Sequence, residues 1–152
     1  MLGLILAVLL HLEADFRQTK EMQLMAEEQH SAGRLVYTAP DYLRWEYTSP
    51  QTMVWEVSNA KTNTPPQVQR LLRLIMSTIS GDYLNAADGV FDIVQDGQQY
   101  TLTPRKRELR QLFSRIVLTL NPETGIAGQV ILIESNGDKS TILFHPTKTE
   151  FQ

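Results

Sequence analysis

Gly33-Arg-Leu-Val-Tyr-Thr-Ala-Pro-Asp-Tyr-Leu-Arg-Trp-Glu-Tyr-Thr-Ser-Pro50 is the stretch whose reading decides the fold. Leu35 and Tyr37 fall on one side of an extended chain, and Leu43, Trp45 and Tyr47 repeat the same period of two. Ala39-Pro40-Asp41 separates the two runs. Proline fixes φ and biases the preceding residue toward extended backbone, and Asp41 can hydrogen-bond nearby main chain, so the runs predict two antiparallel strands with one apolar, aromatic face.

Outward from this pair, Met53-Val-Trp-Glu-Val57 predicts a third strand with Met53, Trp55 and Val57 on one face. Upstream, Glu13 to Glu28 has helix-forming residues with Phe16, Met22 and Met25 at helical spacing and no proline, which predicts a helix. The first ten residues, Met1 to Leu10, form an apolar run of signal-peptide length that lacks a basic start. Residues 1–14 are therefore read either as a signal-peptide remnant or as the start of the first helix, packing Leu6, Leu9, Leu10, Leu12 and Phe16. The run is shorter than the roughly 20 residues needed to span a bilayer.

Downstream, Ser58 to Pro66 is polar and aperiodic and predicts a loop. Pro66 can open a helix in which Val68, Leu71, Leu72, Ile75, Met76 and Ile79 recur at helical spacing and Gly81 stands at the C-terminal cap. From Phe91 the chain predicts a meander. Phe91–Val94 and Tyr100–Thr103 flank Asp96-Gly97, Leu112–Leu120 and Gln129–Glu134 flank Asn121 to Gly125, and Glu134 to Phe144 folds back at Asn136-Gly137. The basic segment with Arg105, Lys106, Arg107 and Arg110 is read as a solvated turn whose charges blunt a sheet edge. The expected fold is α+β: a strongly curved antiparallel sheet covered by two or three helices on one side.

With 152 residues, 42% of them hydrophobic, the chain is long enough for one domain with a real core, assigned to residues 15–152. Fourteen Lys plus Arg against 17 Asp plus Glu give a net charge of −3, which offers no electrostatic pull on nucleic acid. The absence of cysteine excludes disulfides, thiolate metal sites and a thiol nucleophile. His11, His30 and His145 stand apart with no catalytic or metal-binding motif around them, and no phosphate loop, Gly-x-Ser-x-Gly or Gly-x-Gly-x-x-Gly is present. No cofactor, no metal and no enzymatic activity are expected. Trp45, Trp55, Tyr37 and Tyr47 can be ordinary core, but with Met53 and Met76 they can also line a cavity for flexible apolar ligands.

Ala14-Asp-Phe-Arg-Gln-Thr-Lys20 followed by the Gly33–Pro50 stretch resembles the LolA-like outer-membrane lipoprotein carriers. Leu102-Thr-Pro104, Phe113 to Leu120, Asn136-Gly-Asp138 and Ile142-Leu-Phe144 are similar to that family's C-terminal hairpins, so the resemblance runs from about Glu13 to Phe151. It implies an incomplete β-barrel closed by helices, whose apolar interior holds the acyl chains of a lipoprotein while it crosses the periplasm of a Gram-negative cell; a monomer is expected. An inner-membrane lipoprotein-releasing transporter and an outer-membrane acceptor are the implied partners. The cavity residues expected on this basis are Leu35, Tyr37, Leu43, Trp45, Tyr47, Met53, Trp55, Leu72, Ile75 and Met76. The familiar carriers have an arginine before the turn proline that ties lid to sheet; this chain has Ala39, and Arg44 is the candidate for a substitute gating contact. The other readings are a binding module of the same fold that senses lipid or lipoprotein, and an esterase, for which no nucleophile-base pair is present.

Overall fold

The computed structural model describes residues 9–58, 64, 66, 69, 72, 73, 75, 76 and 91–152. Nine strands form one antiparallel sheet: β1 (Leu9–Glu21), β2 (Gln29–Thr38), β3 (Tyr42–Ser49), β4 (Met53–Val57), β5 (Phe91–Asp96), β6 (Gln99–Pro104), β7 (Phe113–Leu120), β8 (Ala127–Glu134) and β9 (Lys139–Phe151). Their order across the sheet is β4-β3-β2-β1-β9-β8-β7-β6-β5. The first and last strands are thus neighbours at its centre.

The Gly33–Pro50 stretch forms β2 and β3 as its alternation predicts, with Leu35 opposite Trp45 and Tyr37 opposite Leu43. The connection falls at Ala39 to Asp41. Trp55 of β4 lies opposite Trp45, which carries the aromatic face one strand further.

The expected helix over Glu13–Glu28 is not there: β1 runs to Glu21, and residues 22–28 are the turn into β2. The apolar positions that settle this are Leu12, Ala14 and Phe16, all buried and spaced by two. Met22 and Met25, which suggested a helical face, lie in the turn, where Met25 is exposed. Pairing with β2 on one side and β9 on the other satisfies the backbone of β1 across its length. Helix propensity, worth only tenths of a kcal/mol per residue, does not outweigh two complete ladders. Leu9 and Leu10 of the apolar N-terminal run belong to the same strand rather than to a helix, and residues 1–8 of that run lie outside the described residues.

Helix is correspondingly scarce among the described residues. Residues 66, 69, 72, 73, 75 and 76 are helical, where Pro66 was expected to start a helix, while Val68, Leu71, Ile79 and Gly81 lie outside the described residues. The basic segment after β6 is a four-residue helix, Arg107–Arg110, rather than a β-turn. These helical positions and the short Arg107–Arg110 helix do not by themselves establish two or three covering helices. β9 also continues well past Phe144, to Phe151, because its second half pairs with the start of β1.

The core lies on one face, and the sheet is concave there, because Trp55 of β4 and Phe113 of β7 border one cavity although five strands lie between β4 and β7. Leu12, Ala14 and Phe16 of β1 meet Leu35 and Tyr37 of β2, Leu43 and Trp45 of β3, Val57 of β4, Leu102 of β6, Ile116 and Leu118 of β7, Val130 of β8 and Ile142 of β9, with Leu72, Ile75 and Met76 packed on top. One close approach requires glycine: a Cβ at Gly33 would collide with the Glu46 carbonyl oxygen and stand 2.8 Å from Phe16 Cζ.

Candidate functional site

Phe16 lies over Gly33 and against Trp45, their ring centroids 4.2 Å apart. Tyr47 meets Phe16 edge-on at 5.4 Å and Trp55 at 5.7 Å, and Phe144 of β9 meets Trp45 edge-on at 6.0 Å. Edge-to-face and tilted rings at these separations are favourable beyond their buried area, by roughly 1 kcal/mol a pair, so the cluster is a firm wall.

That wall bounds a cavity of about 130 Å³. Trp45, Tyr47 and Trp55 form one side, Leu72 and Ile75 of the helical segment another, and Phe113, Leu132 and Ile142 the side across the sheet. Its polar end is made by Gln18 and Lys20 of β1, Glu134 of β8 and Ser140 of β9. The Tyr47 hydroxyl donates to Gln18 Oε1 at 2.9 Å, and Lys20 Nζ lies 3.3 Å from Glu134 Oε2. The Trp45 indole Nε1 is buried and has no hydrogen-bond acceptor in bonding geometry among the described residues. Burial pushes the Tyr47 hydroxyl above the ordinary phenol range, with polar contacts to Trp45 and Gln18 pulling the other way, so it stays a neutral donor.

Of the residues expected to line a cavity, Trp45, Tyr47, Trp55, Leu72 and Ile75 come together here. Leu35, Tyr37, Leu43 and Met76 are buried in the adjoining core, beneath or beside the cavity rather than on its surface. Met53, opposite Tyr47 at the sheet edge, is 47% exposed and stands away from it. Arg44 alternates with the cavity-facing residues of β3 and sits near Glu46 and Glu56, at 3.9 and 4.0 Å, so it is not in the cavity wall. At Ala39 the methyl side chain packs against the core, and its N–H donates to the Leu10 carbonyl at 2.9 Å.

Phe16, Gln18 and Lys20 escape the sequence reading because β1 was expected to be helical. The Leu12-x-Ala14-x-Phe16 alternation was the available signal. Phe113, Leu132, Glu134, Ser140 and Ile142 lie on strands that were legible as strands, but their facing depends on bulges: the β7–β8 register shifts between Phe113 and Arg115.

The sequence model of the family described as "Outer membrane lipoprotein carrier protein LolA" matches residues 9–151. The chain belongs to the LolA family. A search of curated proteins finds none that matches the chain. Among solved structures, the chain is similar to the LolA superfamily protein NE2245 from Nitrosomonas europaea at 8% identity and a TM-score of 0.47, covering 94% of this chain and 86% of that one. It is also similar to a chain of the Pseudomonas aeruginosa MucA/MucB complex at 13% identity and a TM-score of 0.45, covering 92% of this chain. The chain spans about half of that protein's length, 52%. The LolA-like fold of the family is here an unclosed antiparallel sheet of nine strands, with its apolar cavity on the concave side.

Proposed function

We propose that this protein is a periplasmic carrier that shields the acyl chains of lipoproteins, or of related lipids, in the concave cavity and delivers them toward the outer membrane of a Gram-negative bacterium. The observation that carries the reading is the aromatic cavity on the concave face of a LolA-family sheet, apolar along its walls and polar at one end. Each buried methylene contributes about 0.8 kcal/mol, so an acyl chain crosses water only if something covers it.

At about 130 Å³ the cavity is smaller than the roughly 300–1,000 Å³ of ordinary small-molecule sites. Acyl chains therefore enter by displacing the wall that Leu72 and Ile75 provide, while the sheet keeps its aromatic floor. With Ala39 before the turn proline, no side-chain donor at that position ties such a lid down, and apolar contact governs release. The chemistry asked of the protein is binding and transfer rather than bond cleavage.

The test is to purify the protein from a Gram-negative periplasm and identify co-purifying lipids and lipoproteins by mass spectrometry, with release of lipoproteins from spheroplasts as a second readout. Acylated cargo with release supports the carrier. Protein that holds no acylated molecule and releases no lipoprotein overturns it, and hydrolysis of acyl esters would point to an enzyme instead.

A further inference from the structure

The concave face changes character along β1. Leu12, Ala14 and Phe16 are apolar, and the next two residues of the same face are Gln18 and Lys20, set opposite Ser31 and Gln29 of β2. A second, more open hollow lies here, lined by Gln29, His30, Ser31, Pro50 and Gln51, and it shares Gln18 and Lys20 with the apolar cavity. The cavity therefore borders a polar shelf.

The lysines around this border are paired. Lys20 lies 3.3 Å from Glu134 and Lys139 lies 3.9 Å from Glu21. A hydrogen-bond donor remains on offer. The Gln18 amide has its oxygen engaged by Tyr47 and so presents its NH₂ group. A ligand carboxylate or phosphate that took Lys20 for itself would leave the half-exposed Glu134 unpaired and beside the ligand's own negative charge. Two like charges brought together at a partly screened site repel each other. An ester or amide carbonyl can accept from Gln18 and leave the pair intact.

We propose that the Lys20–Glu134 ion pair is a filter on head charge, selecting acylated molecules whose linkage next to the chain is an uncharged ester or amide over free fatty acids and other lipids with an anionic end. This rests on the lipid-carrier reading and adds the class of cargo. It makes both residues specificity determinants that act at the ligand's polar end.

Trp45 and Trp55 are the two tryptophans of the chain and both line the cavity, so intrinsic fluorescence reports its occupancy. Titrations at about pH 8, where a carboxylate is ionised, would compare palmitate with monopalmitoylglycerol, which share one acyl chain and differ in head charge. The wild-type protein should bind monopalmitoylglycerol about tenfold more tightly or better. Glu134→Gln, which leaves Lys20 unpaired, should strengthen palmitate binding by about tenfold and leave monopalmitoylglycerol nearly unchanged, the scale expected of one partly screened charge. Lys20→Met should weaken palmitate binding further. Equal wild-type affinity for the two lipids, a preference for palmitate, or a Glu134→Gln effect equal on both would overturn the filter and leave the carrier standing. Binding of neither lipid would remove both.

Discussion

Gly33 is where one missing carbon decides the packing of the site. The space its Cβ would need is taken by the Glu46 carbonyl and the Phe16 ring, and neither the backbone of β3 nor the centre of the aromatic cluster can retreat cheaply. Gly33→Ala should cost about 3 kcal/mol or more, seen as a lower denaturant midpoint at an unchanged slope. Trp55 bears the opposite kind of test, because it lines the cavity while keeping part of its surface in water. Trp55→Asp should leave the protein folded by circular dichroism yet lower retention of acyl chains by about tenfold or more, since a carboxylate in an apolar wall disfavours them; unchanged retention would exclude Trp55 from the binding surface. Glu13 gives a pH signature away from the site. The hydrogen bond with His11 holds its carboxyl below the ordinary value of 4.5, burial opposes the shift, and the Arg34 guanidinium 2.7 Å away adds to it. A carboxyl lowered in the folded state stabilises fully above its ordinary value, and that contribution is lost as pH falls through the lowered one. The stability difference between wild type and Glu13→Gln should therefore be flat above about pH 5 and shrink in more acidic solution.

At the scale of elements, β2 to β4 were legible because alternating apolar residues and a proline turn leave a single face to bury. β1 was not, because Glu13 to Glu28 is rich in residues that favour helices when nothing else is present, and what overrides them is pairing with β9, more than a hundred residues away in sequence. The same distance hid half of the site. Tyr47 and Trp55 announced themselves locally, whereas the meeting of Lys20 with Glu134, or Phe16 with Trp45, depends on registers that a local pattern does not carry. Central strands have both edges bonded, and their amides exchange only through large openings. Amide hydrogen exchange should find Phe16 and Phe144, opposite each other at the sheet centre, among the slowest, and Val54 on β4 among the fastest strand residues. Faster exchange at Phe16 than at Val54 would contradict the strand order.

For the molecule as a whole, placing the first strand beside the last means that the two meanders, β1 to β4 and β5 to β9, join through the ends of the chain. Ending the chain at Asp138 removes β9 and with it the strand pairing between the halves, so the shortened protein should lose cooperative unfolding and the near-ultraviolet dichroism of its aromatic cluster. Such long-range pairing also predicts folding in milliseconds to seconds rather than microseconds, measurable by stopped-flow tryptophan fluorescence. The strand order begins at β4 and ends at β5 without those two meeting, and this has a mechanical consequence. In a closed barrel, strand number and shear together fix the radius, so the interior can grow only by breaking backbone hydrogen bonds. A sheet whose two margins are not bonded to each other is a leaf spring: every ladder stays intact while its curvature relaxes, and the diameter of the space it encloses becomes an elastic variable.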